Sequence, residues 1–190
     1  FYAVPSHTLP SARGQGEPAS GKLNLPAGAT LTGMIMGEDD KEVFVGTSAG
    51  YGFRTTITDL HTKNKAGKSV VKISPYAQVV QPKLIYDDNS LIVAVSNEGR
   101  MLVFDISNVP KLAKGKGNKI INIPSARLKR GEEWVVDYAI VGQGTSLLVY
   151  SGKRYLSLKY GDLEHYVGER GRRGHKLPRG FQRVDYLKSE

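Results

Sequence analysis

The residues best placed to do chemistry are cations set among glycines. Lys63, Lys65 and Lys68 surround Gly67, and Lys114, Lys116 and Lys119 surround Gly115 and Gly117. Arg170, Arg172, Arg173, Lys176 and Arg179 surround Gly171 and Gly174, and Arg13 lies beside Gly14 and Gly16. Lys and Arg neutralise phosphates, and glycine-rich backbone leaves N–H groups free to bond them. Lys22 follows Gly21, and Arg54, Arg100, Lys153 and Arg154 flank tight glycine turns, so these extend the set. The chain carries 27 Lys and Arg against 18 Asp and Glu, a net charge of +9 over 190 residues. One such loop is a solvated charge cluster. Four in phase predict a basic track for a polyanion. Aromatic residues are scarce in these loops, which disfavours a stacking platform for single strands. No recognition helix is legible, so the expected contact is sequence-tolerant, to duplex phosphates, with bending. The acidic turns Glu38-Asp39-Asp40 and Asp87-Asp88 also recur in phase and would mark a surface that a polyanion avoids.

Other motifs carry less. There is no cysteine, which excludes a disulfide scaffold, a Cys-ligated zinc and a thiol nucleophile, and fits a reducing compartment. Gly46-Thr47-Ser48-Ala49-Gly50 has the G-x-S-x-G spacing of a nucleophile elbow, but that motif needs a following helix. Tyr51–Thr58 reads as a strand, so Ser48 sits in a hairpin turn, and nearby Asp59 and His61 do not make a triad by proximity alone. Ala66-Gly67-Lys68-Ser69 resembles the tail of a phosphate-binding loop, yet the glycine needed five positions before Gly67 is Thr62. His7, His61, His165 and His175 are dispersed and make no metal spacing. Trp134 and most tyrosines are expected in the core. The longest apolar run, Leu91–Val95, is too short to span a bilayer, and no signal peptide is visible. The start at Phe1, in what reads as mid-strand, suggests a piece of a longer protein.

Holding the cations in phase requires a repeating frame. A Lys leading an apolar stretch recurs at Lys22, Lys68, Lys119 and Lys176, spaced 46, 51 and 57 residues apart. Turn glycines Gly50, Gly99 and Gly152 follow the same phase, 49 and 53 residues apart. Each period holds four segments rich in Val, Ile, Tyr and Phe and bounded by Gly, Asn, Asp and Ser. They are Lys22–Leu25, Leu31–Met36, Glu42–Ser48 and Phe53–Thr58; Lys68–Ile73, Val79–Tyr86, Leu91–Ser96 and Arg100–Ile106; and Lys119–Ile123, Trp134–Val141, Ser146–Ser151 and Arg154–Leu158. No amphipathic helix is legible. Asp59-Leu60, Asn108-Val109 and Asp162-Leu163 start at most a short helical turn. Four strands per period, repeated, predict an all-β, propeller-like array of four-stranded antiparallel blades. A β-sandwich is the rival, and the in-phase repeat disfavours it. The WD and Gly-Gly marks of other propellers are absent. One domain over 1–190 is expected, with the end of a preceding blade in 1–10, blades at 11–60, 61–110 and 111–167, and a partial blade in 168–190. Phe1–Val4 with Leu9-Pro10 matches Met101–Phe104 with Val109-Pro110.

Several stretches resemble one known family. Leu9-Pro10-Ser11-Ala12-Arg13-Gly14-Gln15-Gly16-Glu17-Pro18, Ala49-Gly50-Tyr51-Gly52-Phe53, Asn64-Lys65-Ala66-Gly67-Lys68, Gly99-Arg100-Met101-Leu102, the run from Lys114 through Ile120-Ile121-Asn122-Ile123 to Ala126, and Gly168 to Gly174 are similar to the C-terminal domain of the bacterial topoisomerase IV A subunit (ParC). The resemblance implies a β-pinwheel, a disc of blades that exchange strands, with duplex DNA bent around its basic edge. It implies a non-catalytic DNA-binding domain that steers an ATP-dependent holoenzyme between decatenation and supercoil relaxation. The implied partners are duplex DNA, the ATPase subunit (ParE) and the N-terminal cleavage region of the same polypeptide, in the bacterial cytoplasm. The family's DNA-cleaving tyrosine, metal-binding acids and ATP site lie elsewhere, so this chain would hold no cofactor, metal or catalytic residue, with ATP and Mg used by the holoenzyme. The Q-R-R-G-G-K-G box of the related gyrase domain is absent. Glu169 to Gly174 reads E-R-G-R-R-G, which points to the topoisomerase IV branch. The alternatives are a gyrase A wrapping domain, a propeller that binds an acidic protein, and, remotely, an esterase through Ser48.

Overall fold

A computed structural model describes residues 1–190 and contains eleven strands. They are β1 (Glu42–Gly46), β2 (Tyr51–Thr56), β3 (Lys83–Ile85), β4 (Leu91–Ser96), β5 (Arg100–Asp105), β6 (Asn118–Lys119), β7 (Val135–Val141), β8 (Ser146–Ser151), β9 (Arg154–Lys159), β10 (His175–Lys176) and β11 (Tyr186–Ser189). The helical elements are short: α1 (Ile57–Leu60), α2 (Ser125–Lys129) and 3-10 turns, of which Ile106–Asn108 and Tyr160–Tyr166 follow β5 and β9. The turns after β2, β5 and β9 fall where Asp59-Leu60, Asn108-Val109 and Asp162-Leu163 predict them. No sequence signal announces α2.

The strands form three antiparallel sheets, ordered β3-β1-β2-β6, β10-β5-β4-β7 and β11-β8-β9. Each is built on a tight hairpin, β1–β2, β4–β5 or β8–β9. The other strands come from later in the chain. The period that begins near residue 61 supplies β3 to the first hairpin, and the next period supplies β6 to that sheet and β7 to the second. β10 and β11 repeat the pattern one step on. Each sheet therefore draws on successive sequence periods, and the chain stitches the sheets together as it advances.

The exchange explains where strand-like sequence yields no strand. Lys22–Leu25 and Leu31–Met36 have no ladder, because the rule would pair them with hairpins earlier in sequence, and none precedes them in residues 1–190. Lys68–Ile73 makes only the Val71 bridge to Gly115, and Lys119–Ile123 contributes only the end of β6. These opening segments meet a sheet edge for about two residues and then cross to the next loop.

Strand alternation directs apolar residues to both faces of the middle sheet. Ile92, Ala94, Leu102 and Phe104 pack toward Phe44 of the first sheet. Val93, Val95, Met101 and Val103 pack toward Leu147, Val149 and Leu158 of the third. A smaller cluster of Val43, Val45, Phe53, Leu60 and Val70 covers the far face of the first sheet. Tyr138 bridges two sheets: its ring lies 4.8 Å from that of Phe44, and its buried hydroxyl donates to Thr47 O at 2.8 Å. Trp134 departs from expectation. It precedes β7 and is 38% exposed, because Asn97 holds its backbone at the sheet rim. Residues of β3, β7 and β11, with Met34–Met36, line a central cavity of about 830 Å³. The β6 and β10 edges are therefore the outer ones.

Candidate nucleic-acid interface

Three basic loops reach the outer edge in the same way. Gly67, Gly117 and Gly174 have φ of +79°, +77° and +75°. Each lies against a backbone carbonyl near the start of a hairpin's second strand or its equivalent. A Cβ on Gly67 would sit 2.8 Å from Phe1 O and one on Gly174 2.6 Å from Met101 O, while one on Gly117 would overlap Gly52 O. Only glycine meets both demands. The chain then pairs with that strand: β6 with Tyr51–Gly52, and β10 with Arg100–Met101. Lys68 exchanges two hydrogen bonds with Phe1, at 2.7 and 2.8 Å. Phe1 thus occupies the place of Met101, as the match of Phe1–Val4 with Met101–Phe104 anticipates.

Neighbouring loops are also joined directly. Gly115 N–H donates to Val70 O at 2.8 Å, and Lys72 N–H donates to Gly115 O at 2.9 Å. One sheet further, Gly171 N–H donates to Ile120 O at 2.8 Å and Asn122 N–H to Arg172 O at 2.9 Å. The Arg170 guanidinium donates to Lys119 O at 3.2 Å. Residues 67–72, 115–122 and 170–176 form one hydrogen-bonded ribbon along the outer edge. It runs near the hairpin-turn ends of the strands, whereas Glu38–Asp40 and Asp87-Asp88 lie at the opposite ends.

The predicted cations divide by environment. Lys63, Lys65, Lys114, Lys119, Arg170 and Lys176 are exposed and free of ion pairs, as are Lys153, Arg154 and Arg179 nearer the third sheet. Arg154 donates to Gly180 O and lies over the Phe181 ring, 5.7 Å from its centroid. Lys116 is half-buried over the Tyr51 ring at 4.0 Å. Arg172 pairs with Glu169 at 2.8 Å in the open. Lys68 donates to Asp59 O and Arg100 to Gly174 O. Arg13 is exposed and Lys22 pairs with Glu17 at 3.3 Å, in a segment with no backbone hydrogen bond to the ribbon.

Two predicted contacts prove structural. Arg54 is 8% exposed. Its Nε donates to Val109 O at 2.9 Å and its Nη1 to Glu42 Oε2 at 3.2 Å, so it fastens the chain after β5 to the first sheet. Arg173 makes a two-pronged pair with fully buried Glu133, at 2.7 and 2.9 Å. Lys72 is an addition to the predicted set. It is exposed and its amide lies in the ribbon, but inside a strand-like segment it reads as one polar position in the alternation.

The tempting motifs hold no chemistry. Ser48 is buried in the β1–β2 turn, where its Oγ accepts from Gln78 N–H at 2.9 Å. No group of three or more His, Asp or Glu is placed to hold a metal ion. No helix is long and apolar enough to cross a membrane.

Residues 41–85 and 90–140 match the family described as DNA gyrase C-terminal domain, beta-propeller. Over 187 residues, 98% of this chain, the sequence is 51% identical to the A subunit of DNA topoisomerase 4 from Pseudomonas aeruginosa, and covers 25% of that protein. Over 184 residues, 97% of the chain, it is 47% identical to the Escherichia coli counterpart, of which it covers 24%. The chain thus spans about a quarter of the length of these curated relatives. The solved E. coli ParC C-terminal domain superposes with a TM-score of 0.86 at 46% identity, over 100% of this chain and 76% of that one. A gyrase A C-terminal domain, at 19% identity and a TM-score of 0.60 over 77% of this chain and 48% of that one, shares the fold.

Proposed function

The chain belongs to the family of DNA gyrase C-terminal β-propeller domains, and on that premise we propose that it is a non-catalytic domain of a topoisomerase IV A subunit that binds and bends duplex DNA along its outer edge. The observation that carries this reading is the ribbon of residues 67–72, 115–122 and 170–176, which sets free cations from successive periods along one edge. Lys63, Lys65, Lys114, Lys119, Arg170 and Lys176 neutralise phosphates, and Lys72, Lys153, Arg154 and Arg179 extend the path. With no recognition helix, contact is to the backbone and tolerates sequence. By gripping flanking duplex or the segment to be transported, the domain directs the holoenzyme's choice between decatenation and relaxation. The ATPase subunit, the cleavage region of the same polypeptide, ATP and Mg supply the chemistry in the bacterial cytoplasm. The test is fluorescence anisotropy of a random-sequence duplex of about 40 base pairs across a salt series. Log K falling linearly with log salt supports the reading, at about 0.9 per phosphate contact. No binding at low salt by folded protein refutes it.

A further inference from the structure

Glu133 is the most deeply buried acid in the chain, at 0% exposure, and it faces the most basic loop. Its position is fixed from both sides. Asn97, in the β4–β5 turn, donates its side-chain N–H to Glu132 O at 3.0 Å and accepts from Trp134 N–H at 2.9 Å. The carboxylate between these two clamps receives both Nη groups of Arg173, and Arg127 Nη1 approaches at 3.6 Å. Arg127 is tied in turn to Glu98 of the same β4–β5 turn at 2.5 Å. Arg173 also donates to Asn122 O at 3.0 Å, so one guanidinium joins the buried acid to the backbone of the neighbouring basic loop. On either side of Arg173 stand Arg170, Arg172 and Lys176.

The geometry points to Glu133 as a positioning residue for the polyanion track: through Arg173 it locks the 168–174 loop against Lys119–Asn122 and so fixes where Arg170, Arg172 and Lys176 meet phosphate. The inference rests on the duplex-binding reading above. Its consequence runs against simple electrostatics. Removing an acid from a DNA-binding surface raises the net charge by one and should tighten binding. If Glu133 works by position, its removal weakens binding.

The test compares the 190-residue chain with its Glu133→Gln variant, using the same duplex and salt series, with circular dichroism and hydrogen exchange on each sample. Gln keeps the shape but offers an amide donor toward a guanidinium, so the two-pronged pair is lost. Loss of about two phosphate contacts lowers the salt slope by about 1.8, which is roughly a tenfold smaller fall in affinity over a fourfold rise in salt. Binding at low salt weakens, and amides of 169–173 exchange faster. Breaking a buried pair by removing one partner strands the other charge and can unfold a domain outright. A second variant, Glu133→Gln with Arg173→Gln, therefore replaces the pair with two amides. It strands no buried charge at this pair and keeps the net charge, but it still lacks the two-pronged lock, and it is read by the same slope. Equal or tighter duplex binding with an unchanged slope in either folded variant overturns the assignment. Failure of the unaltered chain to bind overturns the duplex reading instead.

Discussion

Replacing Lys119, Arg170 and Lys176 together with Gln removes three of the six exposed, unpaired cations on the loops that open the second to fourth periods, the others being Lys63, Lys65 and Lys114. None of the three has a carboxylate partner, and the Lys119 ammonium reaches only Asn122 Oδ1, at 3.4 Å. Their loss should therefore cost little stability. If each of the six meets one phosphate, the unaltered chain has a slope of log K against log salt of about 5.4, and the triple variant about 2.7. A fourfold rise in salt then weakens the parent roughly 1800-fold and the variant only about 40-fold. Anisotropy at four or five salt concentrations separates these outcomes, and a thermal melt of each sample confirms that the fold is retained. A variant with the parental slope and affinity would mean that these side chains do not meet the duplex, and the edge track would be refuted.

Other expectations follow from residues inside the frame. Arg54→Met leaves Glu42 with Lys111 alone and should destabilise the chain by about 3 kcal/mol, read by urea unfolding, while the folded fraction binds duplex as before. Gly117→Ala should cost more than the ~1–2 kcal/mol of its left-handed dihedral, because the new Cβ overlaps Gly52 O; Gly131→Ala, at φ +66° with open space around it, should cost the dihedral alone. Leu147→Ala opens a cavity between the second and third sheets and should cost about 2–5 kcal/mol in the same assay. Burial raises the Tyr138 phenol above its ordinary value near 10. The unfolded chain then loses a proton that the folded chain keeps, so stability is present below pH 10 and lost above it, at up to about 1.4 kcal/mol per pH unit. Tyr138→Phe should remove that part of the alkaline loss in pH-dependent melts.

The hairpins were legible because their signals are local. β4 and β5 read as Leu-Ile-Val-Ala-Val and Arg-Met-Leu-Val-Phe around a turn glycine, and no distant residue is needed to see them. β6 and β10 were not, since each is two residues long and pairs with a strand far back in the chain, as Lys119 does with Tyr51. Arg54 and Arg100 look alike in sequence, each just past a turn glycine. Register separates them: Arg100 opens β5, whereas Arg54 lies inside β2 opposite Phe44, diagonal to Glu42. A cross-strand carboxylate two positions along was a usable sign that Arg54 would be paired. The Arg173–Glu133 pair carries no such sign, because its partners are 40 residues apart in segments that meet only through strand exchange.

Strand exchange also makes the edge stiff, and stiffness matters to what the edge can do. The loop that carries Lys114 and Lys116 continues into β6, which completes a sheet begun two periods earlier, and its Gly115 is bonded to Val70 and Lys72. Moving the cations would mean unpairing a sheet edge. A duplex resists smooth bending by 40–90° over 20–30 base pairs with roughly 1–6 kcal/mol. Flexible loops would follow a straight duplex and leave it straight. Cations fixed to sheet edges cannot follow, so further phosphate contacts form only as the duplex curves to meet them. They also form without a cost for ordering the loops. Loosening a loop while keeping its charges should therefore reduce bending more than affinity. Comparing end-to-end energy transfer on a labelled duplex with anisotropy would show it, and an equal loss of both would mean that charge alone sets the path.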